Sequence, residues 1–134
     1  MTGLIDVQTS ALAGEALAWS VAKAEGLTAF IADPQYGNPY RVMVHFKRDG
    51  KYLPQQERFK PHADWSQGGP LIQKFGVSLD CIAPRNSWEA FVWGGPLACD
   101  GFHDEAETPL IAACRAIVAA KLGDTVQAPK ELMR

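Results

Sequence analysis

Long apolar runs are missing from this sequence. No stretch approaches the ~20 consecutive apolar residues that a membrane-spanning helix needs, and the first residues lack the basic-then-apolar pattern of a secretory signal. The expectation is a cytoplasmic protein, neither exported nor anchored in a bilayer. An excess of one charge is missing as well. Thirteen Lys and Arg stand against 15 Asp and Glu, for a net charge of −2. Such a balance offers no broad basic face and argues against duplex DNA as a partner. Cysteine is scarce: Cys81, Cys99 and Cys114 are odd in number, widely spaced and never arranged Cys-x-x-Cys. That speaks against a disulfide framework and against zinc, and for reduced thiols. Linkers, low-complexity tracts and coiled-coil heptads do not occur.

The 134 residues fit one domain, 1–134, able to bury roughly two thirds of its unfolded surface without disulfide or metal. A first helix is predicted from about Ser10 to Glu25, with Thr9 or Ser10 as N-cap and Gly26 ending it. Leu12, Ala16, Trp19 and Lys23 share one stripe of it, and Leu17, Val21 and Ala24 the next. Phe30–Ala32 suits a strand, residues 33–39 a loop, and Tyr40–Phe46 a strand with Val42 and Val44 on its apolar face. Asp49-Gly50 signals a hairpin turn returning through Lys51–Leu53, and residues 55–64 read as irregular. Gly69-Pro70 is expected to open a short helix closed by Gly76. Strands follow at Val77–Ile82 and Trp88–Trp93, with a turn at Pro84–Asn86 between them. Thr108 as N-cap, Pro109 at the first turn, an apolar stripe from Leu110 to Leu122 and Gly123 after it define a final helix. Strands adjacent without helical crossovers predict an α+β fold: a small, mostly antiparallel sheet with an N-terminal and a C-terminal helix packed on it.

The densest cluster of functional signals is Asp64-Trp65-Ser66-Gln67-Gly68-Gly69-Pro70. Two glycines would let a backbone approach a ligand, and a helix starting just after them would offer free N–H groups to an anion. Trp65 could stack on a base and Gln67 read its polar edge. The same residues also suit a tight loop-to-helix turn, with Trp65 in the core and Asp64 capping. Trp19 and Lys23, one turn apart, could frame an aromatic ligand, or be a core residue and a lysine reaching to water. Arg115 could fork a phosphate, pair with an acid such as Glu15 or Asp64, or point to solvent. The candidate ligand contacts are therefore Trp65, Ser66, Gln67, Gly68, Gly69, Arg115, Trp19 and Lys23.

Other chemistry has less support. The acidic run 100–107, read as a loop, holds a single His, His103, and no metal-binding spacing. No serine sits in a Gly-x-Ser-x-Gly elbow. No catalytic residue, metal or cofactor is assigned. Phe91 and Trp93, on the face of their strand opposite Ala90 and Val92, suggest a homo-oligomer interface or a pocket wall.

Three segments carry a family resemblance: residues 9–26, with Ala16-Leu17-Ala18-Trp19; residues 64–72, with Asp64-Trp65-Ser66-Gln67-Gly68-Gly69-Pro70; and residues 108–123, from Thr108-Pro109-Leu110 to Lys121-Leu122-Gly123. Together they resemble the NinX-like phage proteins. The stretches 32–60 and 84–107 do not carry the pattern, so no loop function transfers there. The resemblance implies a phage or prophage accessory protein and brings no reaction with it. Small phage proteins in that setting sometimes sequester a nucleotide signal of bacterial defence. The combined expectation is a binding protein for a small anionic ligand, a cyclic or linear nucleotide among the candidates, acting without turnover. A modulator of a host protein, working through the aromatic strand, is the alternative. A nucleotide-processing enzyme ranks third.

Overall fold

The computed structural model describes residues 3–37, 39–46, 55–93 and 101–133. Among these described residues are three α-helices: α1 (Gly14–Glu25), α2 (Trp65–Phe75) and α3 (Pro109–Leu122). Eight strands accompany them: β1 (Leu4–Gln8), β2 (Thr28–Ala32), β3 (Arg41–Phe46), β4 (Gln55–Arg58), β5 (Ser78–Ile82), β6 (Ser87–Trp93), β7 (Gly101–Ala106) and β8 (Thr125–Pro129). The class is α+β and every strand pair is antiparallel. The strands form three small sheets, ordered β1-β8, β2-β3-β4 and β5-β6-β7.

The chain uses one plan twice. A helix ends on a left-handed glycine, Gly26 (φ 73°) after α1 and Gly76 (φ 63°) after α2. Only glycine adopts that backbone at no steric cost. Each helix is followed by a three-stranded meander. α1 packs on β2 and β3, burying Ala16, Leu17, Val21, Val42 and Val44. The second meander is covered instead by α3, which also packs against α1 and α2. α3 buries Ala112, Cys114, Ala116, Ile117 and Val118, and is thus the centre of the core. Its own start is as the sequence predicts: Thr108 Oγ1 accepts from the Ile111 N–H (3.1 Å), and Pro109 needs no donor.

Several expectations are corrected. α1 begins at Gly14, four residues later than predicted, after a 3-10 turn at Thr9–Ala11. Thr9 does not cap it: its hydroxyl is buried and donates to the Gly123 carbonyl (2.6 Å), tying the entry of α1 to the end of α3. Residues 55–58, expected to be irregular, form an edge strand on β3. The acidic run contains β7 rather than a loop. β1 and β8 pair with Val7 opposite Val126, both buried, so the two ends of the fold meet. The Asp49-Gly50 turn, the Lys51–Leu53 return and Cys99 lie outside the described residues.

Candidate site at the start of α2

Asp64 is the N-cap of α2. Its Oδ1 accepts from the Ser66 N–H (2.9 Å) and from the Ser66 hydroxyl (2.6 Å). These bonds, the hydroxyl's foremost, hold the carboxyl below its ordinary pKa. The helix therefore begins at Trp65, and Gly68, Gly69 and Pro70 are helical rather than a loop before it. This corrects the phosphate-loop reading of the two glycines.

Several motif residues serve the helix itself. Gln67 bridges back to the preceding chain: its Oε1 accepts from the Lys60 N–H (2.6 Å), and its Nε2 donates to the Arg58 carbonyl (2.7 Å). Gly68 is buried where α2 meets α3. A Cβ there would fall on the Pro61 carbonyl oxygen and 2.6 Å from Leu110 Cδ2. Gly69 faces open space. It precedes Pro70, and a Cβ at that position would crowd the proline ring in a helical backbone. The Gly-Gly-Pro run is thus compatible with a helix because neither glycine brings a side chain.

Trp65 is left over from this framework. Its side chain is not core: the residue is 57% exposed. It stands at a cavity of about 330 Å³ lined also by His62, Ala63, Thr108, Pro109, Leu110 and Ile111. The starts of α2 and α3 both border this cavity, and helix starts carry positive potential. His62 was not singled out from the sequence, since a lone histidine carries no spacing signal. Its Nδ1 is buried without a hydrogen-bond partner. Burial is the main cause that lowers its pKa; Arg58 and Lys60 add to the effect and Glu15 opposes it.

The remaining candidates lie elsewhere. Arg115 Nε donates to the Leu12 carbonyl (2.7 Å) and Nη1 to the Glu105 carbonyl (3.4 Å), so the guanidinium clamps the α1 entry and β7 onto α3. It is not paired with Glu15 or Asp64. Trp19 is half-buried against the core, with Lys23 Nζ 4.7 Å from its ring centroid. Cys114 is buried and its thiol is pushed up to about 12, so it carries no thiolate at neutral pH; Cys81 is exposed on β5. A second cavity, of about 230 Å³, is lined by Glu15, Pro34, Pro39, Tyr40, Glu131 and Leu132. Its two carboxylates disfavour an anion.

Among the described residues no helix is long and apolar enough to cross a membrane. Nor is any group of three or more His, Cys, Asp or Glu arranged to hold a metal ion. Fold and site together define a small α+β protein with an aromatic-mouthed pocket between two helix starts. A family model described as bacteriophage P22 NinX matches residues 8–121. The chain belongs to this phage NinX family. The comparison with curated proteins found no match.

Proposed function

We propose that this phage protein binds a small planar anion, a nucleotide being the leading class, and holds it without turnover in the host cytoplasm. The observation that carries the reading is the exposed Trp65 indole at the mouth of the cavity bordered by the starts of α2 and α3. The indole supplies a stacking face, and the helix starts supply potential suited to negative charge. Ser66, Gln67, Gly68 and Gly69 shape the wall that presents Trp65, and Arg115 fixes α3 from behind. The acidic second cavity fits this ligand less well.

The test is thermal melting against a panel of linear and cyclic nucleotides, with inorganic phosphate as control and chromatography of the heat-released compound. One nucleotide should raise the melting temperature by several degrees and be recovered intact. Trp65→Ala should weaken its binding by about 1–3 kcal/mol. The variant should melt close to the parent, because the residue is mostly exposed. Conversion of the nucleotide would replace the binding reading with an enzymatic one. Binding unaffected by Trp65→Ala would move the ligand away from this cavity.

A further inference from the structure

The wall of the Trp65 cavity holds one polar group that the fold does not use. Among the described residues around it, His62 is the only titratable one. Ala63, Trp65, Pro109, Leu110 and Ile111 bring no charge, and the Thr108 hydroxyl is engaged in the cap of α3. Among the described residues the His62 imidazole has no hydrogen-bond partner, and its Nδ1 is closed off from water as well. A buried polar atom left in that condition costs stability and calls for a reason. The charges that face the ring come from three elements: Glu15 of α1, Arg58 at the end of β4, and Lys60 just beyond it. Glu15 favours the imidazolium, but it is already bonded to the Val42 N–H (2.9 Å) and to Arg58 (3.4 Å). Arg58 and Lys60 oppose it, burial opposes it most, and α3 brings no charge to this wall. In the protein alone the ring is therefore neutral at neutral pH. Asp64, the residue before Trp65, stays ionised through its bonds from Ser66.

We propose that His62 is the anion contact of this cavity, that it takes up a proton from solution as the ligand binds, and that the ligand carries a single negative charge, as a phosphodiester does. The proposal rests on the reading of the cavity as a nucleotide site. An oxyanion gives the imidazole the acceptor it lacks, and a negative charge beside the ring favours its protonated form. Among the described residues no lysine or arginine lines the cavity, so one proton on His62 supplies one unit of positive charge. Further negative charges on the ligand would find no partner in this wall and would be repelled by the Asp64 carboxylate. A cyclic nucleotide thus fits better than a nucleoside triphosphate. Trp65 stacks on the base, and His62 meets the phosphate.

The test is calorimetric titration of the whole protein with cyclic AMP and cyclic GMP, whose phosphodiester does not titrate near neutral pH, and with ATP. Each is run at about pH 7.5 and about pH 6, in two buffers of different ionisation enthalpy, so that proton uptake shows in the heat. A cyclic nucleotide should bind about tenfold more tightly at the lower pH, with close to one proton taken up per ligand. ATP should bind more weakly at both. His62→Gln keeps a polar side chain that cannot be protonated; it should lose most of the pH dependence. A second readout avoids any instability of that variant. In the parent's NMR spectrum the His62 imidazole should titrate below 6.5 in the protein alone and above it with the cyclic nucleotide bound. Binding that Trp65→Ala weakens, but that has the same pH dependence in His62→Gln as in the parent, overturns the role of His62 and leaves the cavity reading standing. Tighter binding of ATP overturns the single-charge assignment. Binding indifferent to Trp65→Ala, or no nucleotide bound at either pH, overturns the cavity reading and this inference together.

Discussion

Gly68→Ala should be among the more damaging single-methyl changes available in this protein. The added Cβ meets two groups of different stiffness. Leu110 Cδ2, 2.6 Å away, is the end of a flexible side chain and can turn aside; the Pro61 carbonyl is backbone and cannot. Either α2 retreats from α3 or the 58–63 segment shifts, and the latter strains the Gln67 bonds to Lys60 and Arg58. Overpacking of this kind costs about 1–3 kcal/mol. An unfolding entropy of about 2.1 cal/mol/K per residue over 134 residues turns each kcal/mol into roughly 4 °C of melting temperature. Alanine's better helix propensity returns up to about 1 kcal/mol. The net expectation is a cost of up to about 2 kcal/mol, a fall of up to about 8 °C in calorimetry. Gly69→Ala is the matched comparison. It gains the same propensity and meets only the ring of Pro70, so it should change stability by less than about 1 kcal/mol. If the two variants melt alike, the close approach of α2 to α3 at Gly68 is not what that glycine serves. Adding Leu110→Ala should not rescue Gly68→Ala, because it leaves the Pro61 carbonyl in place and opens a cavity.

Pro70 is exposed and sits in the second turn of α2, where its missing N–H leaves the Ser66 carbonyl without its helical donor. Pro70→Ala should stabilise the protein by about 1–3 kcal/mol, read as a higher urea midpoint; a lower midpoint would mean that the proline is structurally required. His62 gives a pH signature. Its folded pKa lies below the ordinary 6.5, so at mildly acidic pH the unfolded chain binds a proton that the folded one does not. Its contribution is fully present above the unfolded value and is lost as pH falls from about 6.5 toward the folded value. The urea midpoint of His62→Gln should therefore decline less than the parent's over that window. Parallel curves would refute the assignment.

How far the fold could be read in advance varies along the chain for physical reasons. α3 was legible at both ends, since its cap, its proline and its apolar stripe are all local signals. β2, β3, β5 and β6 showed by alternation or short apolar runs. β1 and β8 did not, because their pairing joins opposite ends of the sequence. β4 reads Gln-Gln-Glu-Arg, a polar edge strand recognisable only once β3 lies beside it. The start of α2 was misplaced because Gly-Gly-Pro reads as a breaker. What holds it helical is tertiary: Gln67 bonded to residues 58 and 60, and Gly68 against Pro61. The cavity at Trp65 was invisible for the same reason, since half its wall comes from Thr108–Ile111.

That contrast bears on how the family motif should be read. Asp64, Gln67 and Gly68 each complete a contact that α2 needs in order to fold where it does. A motif built from such residues is expected wherever the fold is kept, whatever the protein binds, so sharing it is an argument about architecture. Function is better sought in residues that folding does not use. A single exposed apolar side chain needs no explanation. Trp65 differs because it adjoins a second feature, a cavity bordered by the starts of two helices, and no contact that α2 needs depends on it.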